Sequence, residues 1–213
     1  MKIAILLYER FTALDAIGPY EVLSRLPGAE LEFVAAERGE VRTDNGMLTL
    51  LAARSIAEVP RAEIVLVPGG PGEVAARAGG PVLEWLRALH ETTTWTTSVC
   101  TGSLILAAAG LLEGRRATSH WLALEQLAAL GAVPSEERVV FDGKIVTAAG
   151  VSAGIDMALA LAARVAGEQV AQAIQLGVEY DPQPPFDAGS PSKAPAEIVE
   201  LLRGRSRFLA QPA

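Results

Sequence analysis

The sequence predicts an α/β protein built on a mostly parallel sheet with helices on both faces. Short apolar runs at residues 3–8 and 64–67 are continuous rather than alternating, as in strands covered on both sides. Segments with helical spacing lie between the strands, and Gly or Pro marks most of the joints. Aromatic residues make up 5% of the chain, so the core is expected to be aliphatic.

The elements follow in order. Residues 3–8 form the first strand. Gly18-Pro19 opens a helix running to about Leu26, with Pro19 at the first helical position, where its missing N–H costs nothing. Residues 31–36 are a strand, and residues 41–50 a hairpin around Asn45-Gly46, which accept the positive φ of a tight turn. Ser55 and Glu58 have the spacing of a capping box. The strand at 64–67 stops at Pro68-Gly69-Gly70. Val82, Trp85, Leu86 and Leu89 mark a helix, and β-branched residues 94–99 a strand. Helices are expected at 102–112, ended by Gly114, and at 121–130, closed by Gly131. Residues 139–147 form a second hairpin around Asp142-Gly143, and two helices fill 153–179. A Pro-rich arm at 181–195 precedes a last helix from Pro195 to Phe208.

With 213 residues, half of them apolar, the length favours one domain over residues 1–213. The net charge of −7 and the absence of a basic cluster argue against nucleic acid as a partner. One cysteine excludes an internal disulfide, and with two histidines it leaves no set for a structural metal. The apolar start is too short for a signal peptide, and no run of eighteen apolar residues occurs, so the expectation is a cytoplasmic protein without a membrane partner.

In open parallel sheets, ligands sit beyond the carboxyl ends of the strands. Asp15, Gly69-Gly70 and Cys100 all fall on that rim. Residues 98–102, Ser-Val-Cys-Thr-Gly, have the outline of a nucleophile elbow, with small residues two places either side of Cys100 and Ser98 where Gly is usual. A cysteine opening a helix feels the positive end of the dipole, which lowers its pKa. Equally, Cys100 fits a buried small hydrophobe. Asp15 reads either as a helix N-cap or loop acid, or as a carboxylate serving the sulfur as general acid/base. Gly69 and Gly70 are turn residues or, with Thr101, backbone donors to developing negative charge. His120, beside Trp121, reads as a packed histidine, and His90 as a helix-end residue. Asp156 complements a helix dipole.

The elbow with Ala108-Ala109-Gly110, the segment Thr118-Ser119-His120-Trp121, Leu14-Asp15 with Gly18-Pro19, and Pro68-Gly69-Gly70 together resemble the ThiJ/PfpI superfamily. Residues 150–156 and the arm at 179–191 are most similar to its isonitrile (isocyanide) hydratase branch. The resemblance implies a flavodoxin-like three-layer sandwich, a homodimer, a small-molecule substrate and no cofactor. It implies that Cys100 and Asp15 are the catalytic pair and that Gly69, Gly70, Thr101 and Val151 line the pocket. Protease-like members place His after the nucleophile, where this chain has Thr101. Members with a redox or glyoxalase role usually have Glu on the first helix; Glu21 is present at different spacing. Sensor domains of AraC-type regulators share the Cys-Thr-Gly and His-Trp segments, so the alternatives are a stand-alone small-molecule or redox sensor, or another small-carbonyl hydrolase or glyoxalase. Only 18 residues follow Pro195, too few for the helix-turn-helix such a regulator needs.

Overall fold

The computed structural model describes residues 1–206. Its elements in chain order are β1 (Lys2–Leu6), α1 (Ala13–Leu23), β2 (Glu30–Ala35), β3 (Gly39–Arg42), β4 (Thr49–Ala52), β5 (Arg54–Ser55) and β6 (Ile64–Val67). There follow α2 (Glu73–Ala76), α3 (Pro81–Thr92), β7 (Trp95–Val99), α4 (Gly102–Ala108), β8 (Arg116–Ala117), α5 (Leu124–Ala129) and β9 (Val133–Pro134). The chain continues through β10 (Val139–Asp142), β11 (Ile145–Ala148), α6 (Ala153–Ala166), α7 (Glu168–Gly177) and α8 (Ala196–Gly204).

Among the described residues, seven strands form one sheet in the order β10-β11-β7-β6-β1-β2-β5. All neighbours are parallel except β10 and β11, which make the expected hairpin. Alternating side chains of the central strands enter two different cores. Ala4, Leu6, Val65 and Val67 pack under α3, α4 and α5 with Leu86, Leu104 and Leu127. Ile3, Ile5, Ile64 and Leu66 face the other way, toward α1, α6 and α7 with Leu23, Met157 and Leu161. The result is the flavodoxin-like three-layer arrangement, and the strands read as unbroken apolar runs because both faces are covered. The hairpin of β3 and β4 stands outside this sheet.

Three boundaries differ from the sequence reading. The first helix begins at Ala13, not at Pro19, which lies inside it. Its ring packs where a Cβ on Gly154 of α6 would come within 3.0 Å, and Gly18 abuts Ile155 in the same way. That close seam between α1 and α6 outweighs the hydrogen bond a proline removes. α4 ends at Ala108, because Gly110 turns to a φ of 79° well before Gly114. α8 ends at Gly204, and Phe208 lies outside the described residues. No helix among the described residues is long and apolar enough to cross a membrane.

Candidate functional site

The register of the central strands sets the site. Val67 of β6 pairs with Ser98 of β7, and Val99 with Ala148 of β11, so three parallel strands end side by side. Cys100 leaves β7 at this rim with a φ of 57°, in the left-handed region that non-glycine residues occupy only under constraint. The constraint is visible. The Cys100 N–H donates to the carbonyls of Ala148 and Ala149, both at 3.0 Å. Its carbonyl accepts from the hydroxyls of Ser103 and Ser119, both at 3.1 Å. Gly102 is required two places on, since a Cβ there would collide with the Val67 carbonyl.

Asp15 lies in the first turn of α1 and is fully buried. It is neither an N-cap nor a loop acid. Its Oδ2 accepts the Gly69 N–H at 2.9 Å, while Oδ1 has no N–H or O–H donor. The same carboxylate meets the Cys100 thiol. Gly69 fits between them because a Cβ there would lie 2.5 Å from the Thr101 nitrogen and 2.9 Å from Asp15 Oδ2. The Gly70 N–H donates to Thr101 Oγ1 at 3.0 Å. Both glycine amides, expected as free donors to a developing anion, are thus committed to Asp15 and Thr101.

The backbone amides of Val151 and Thr101 act on the Cys100 thiol, each lowering its pKa. Val151 sits in the link between β11 and α6 with a φ of 37°, a second constrained residue at the same point. A Cβ on the preceding Gly150 would press on the His120 ring at 2.8 Å. His120 itself stacks on Trp121 and accepts the Leu122 N–H at Nδ1, as a packed histidine should. His90, partly buried at the end of α3, bonds to the Thr96 hydroxyl.

Electrostatics correct one expectation. The sequence reading gave a thiol with a lowered pKa, but burial pushes Cys100 up, and the Asp15 charge pushes it further. The amides of Val151 and Thr101 oppose this without overcoming it. Burial also raises Asp15 from 3.8 to about 7, against the lowering effect of the Gly69 N–H. The pair therefore shares one negative charge near neutrality, and the second ionisation is strongly resisted. Among the described residues there is no cluster of three or more metal-ligating side chains. The 450 Å³ recess lined by Lys2, Glu30, Glu32 and Arg54 lies at the amino ends of the strands, the opposite end of the sheet from Cys100.

Sequence reading missed the network around Asp156, which does more than meet a dipole. Asp156 takes Arg138 at 2.5 Å on one oxygen and the Tyr180 hydroxyl at 3.0 Å on the other. No short motif marks it, since its members lie 18 and 24 residues apart.

An α/β sandwich with a cysteine on a strained strand-to-helix turn, facing a buried carboxylate, defines the class of fold and site. The chain belongs to the DJ-1/PfpI family, whose model matches residues 1–164. It is 41% identical to an isonitrile hydratase of Pseudomonas putida over 97% of this chain and 90% of that one. It is 34% identical to the transcriptional regulator CdhR of Pseudomonas aeruginosa, over 74% of this chain and 47% of the regulator. In structure it matches a ThiJ/PfpI family protein of Pseudomonas syringae with a TM-score of 0.93 at 38% identity, covering 96% of this chain and 85% of that one.

Proposed function

We propose that the protein is a cysteine-dependent isonitrile hydratase that converts R–NC and water into an N-substituted formamide. The observation that carries the reading is the Cys100–Asp15 pair, buried together with the carboxylate's pKa at about 7. A group poised there both accepts and returns a proton at neutral pH. The likeness to the Pseudomonas putida enzyme supplies the substrate class.

In the first step Asp15 takes the thiol proton as Cys100 sulfur attacks the terminal isonitrile carbon. The proton is then delivered to that carbon, giving the thioimidate R–N=CH–S–Cys100. Water, deprotonated by Asp15, adds to the same carbon while nitrogen is protonated. Collapse of the resulting adduct breaks the C–S bond, releases R–NH–CHO and returns the proton to sulfur. The amides of Thr101 and Val151 stabilise negative charge on sulfur whenever it is expelled. Gly69 and Thr101 hold Asp15 and the glycine turn in register. No step requires a cofactor.

The active form we propose is a homodimer. Leu14, next to Asp15, and Met47, Leu48 and Leu51 on the hairpin of β3 and β4 are exposed apolar residues. The hairpin adjoins the start of α1, because Asp44 bonds the Thr12 hydroxyl and the Phe11 carbonyl. A stand-alone sensor is the second reading, favoured by the likeness to CdhR. The two separate on turnover. Wild type given cyclohexyl isocyanide is expected to form the formamide catalytically, and Cys100→Ala to form none. A wild type that alkylates readily yet yields no formamide sinks the hydratase and leaves the sensor.

A further inference from the structure

The strained link 149–152 adjoins Cys100, whose N–H donates to the Ala149 carbonyl at 3.0 Å, and the Val151 amide in that link lowers the thiol's pKa; something must hold the link in place. Arg138 spans it. The Arg138 carbonyl accepts the Ala149 N–H at 2.9 Å, at the end of β11. Its guanidinium donates to Ser152 Oγ at 3.2 Å and to Asp156 Oδ2 at 2.5 Å, at the start of α6. One residue thereby grips both ends of the segment 149–152, inside which Val151 has its φ of 37°. The second oxygen of Asp156 is held by Tyr180 at 3.0 Å. Tyr180 is itself fixed on the end of α7: its N–H donates to the Gln175 carbonyl and its carbonyl accepts from Gln175 Nε2. Residue 179 takes a φ of 51° to make that turn.

We propose that Arg138, together with Asp156 and Tyr180, is a positioning clamp for the Cys100 thiol. It keeps the strained Val151 link from relaxing and so holds the Val151 N–H against the sulfur. None of the three touches the reacting atoms. The clamp deepens the hydratase reading and rests on Cys100 being its nucleophile, but it concerns only the thiol and its amide donor. A strained conformation persists only where its surroundings over-determine it. Arg138 supplies one backbone bond and one side-chain bond at the two ends of the segment 149–152, and a second side-chain bond to Asp156 on α6. A charge-assisted, forked donor suits that work better than an ammonium, which lacks the fixed geometry.

The test follows two signals in Arg138→Ala: hydrogen exchange of the Val151 amide, and the rate at which iodoacetamide alkylates Cys100. With the clamp gone, the Val151 amide is expected to exchange about fivefold faster and alkylation to slow about fivefold, the size of one net hydrogen bond. Tyr180→Phe, which leaves Arg138 in place, is expected to give a smaller change in the same direction. If Arg138→Ala fails to fold, Asp156→Asn removes the ion pair with less disturbance and carries the same expectation. A folded variant with wild-type exchange at Val151 and wild-type alkylation overturns the clamp. Faster alkylation also overturns it, because Arg138 would then be shielding the sulfur and not positioning its donor. Neither readout uses an isonitrile, so failure of the clamp and failure of the hydratase reading are told apart.

Discussion

Asp15→Asn should make the protein more stable relative to wild type as pH rises. Burial lifts the Asp15 carboxyl from 3.8 to about 7. A group whose folded pKa is raised contributes stability that is full below its unfolded pKa and is lost as pH climbs to the folded one. The window is therefore 3.8 to about 7. Over the whole window the wild type loses about 4 kcal/mol, and between about pH 5 and about pH 8 roughly 2–3 kcal/mol. The asparagine variant has no such dependence at this position. Its side-chain oxygen still accepts the Gly69 N–H, and any loss from burying an unpartnered NH₂, about 1–3 kcal/mol, is the same at every pH. The other titratable groups are common to both proteins and cancel in the comparison. Urea unfolding across that range, with slopes checked for constancy, measures the difference directly. The stability of Asp15→Asn minus wild type should grow by roughly 2–3 kcal/mol toward the alkaline end and flatten above about pH 7. A difference constant with pH would refute the buried, half-titrated carboxylate on which the mechanism depends.

Other consequences follow from the same geometry. The rate constant kcat/KM should rise with pH through about 7, because Asp15 must be ionised to accept the thiol proton; steady-state kinetics with a neutral isonitrile reads this limb. Thr101→Val removes the hydroxyl that accepts the Gly70 N–H and should lower stability by about 0.5–1.5 kcal/mol in chemical denaturation. Gly102→Ala drives a Cβ into the Val67 carbonyl and should prevent native folding, seen as loss of the near-ultraviolet circular dichroism signal. Leu51→Glu should shift a dimer toward monomer in light scattering, since Leu51 is 64% exposed on the hairpin next to α1.

The sheet was legible in the sequence because strands buried on both faces, such as 64–67, are apolar at every position. Both hairpins were legible from Asn45-Gly46 and Asp142-Gly143, where Gly46 and Gly143 take φ of 71° and 60°. The start of α1 was not, because Pro19 looks like a first-turn residue and only its packing against Gly154 of α6 permits it in the interior. Cys100 and Asp15 were singled out by type and by place on the sheet rim, and the fold brings them into contact across 85 positions of chain. The direction of the thiol's shift was not legible. A helix start argues for lowering, and the burial that reverses it comes from Cys100 packing in one cluster with Ala16 of α1 and Ala153 and Met157 of α6. The partners of the Gly69 and Gly70 amides, and the Arg138–Asp156–Tyr180 network, join segments too distant for any local pattern to show.

The central claim is that Cys100 bonds to the isonitrile carbon during turnover. Wild type mixed with excess cyclohexyl isocyanide, quenched in acid within a turnover and examined by intact mass spectrometry, tests it. The expected result is a protein heavier by one whole isonitrile, with the added mass on the peptide that contains Cys100. Formamide released at the full rate by Cys100→Ser, with no adduct on the wild type at any quench time, would contradict it.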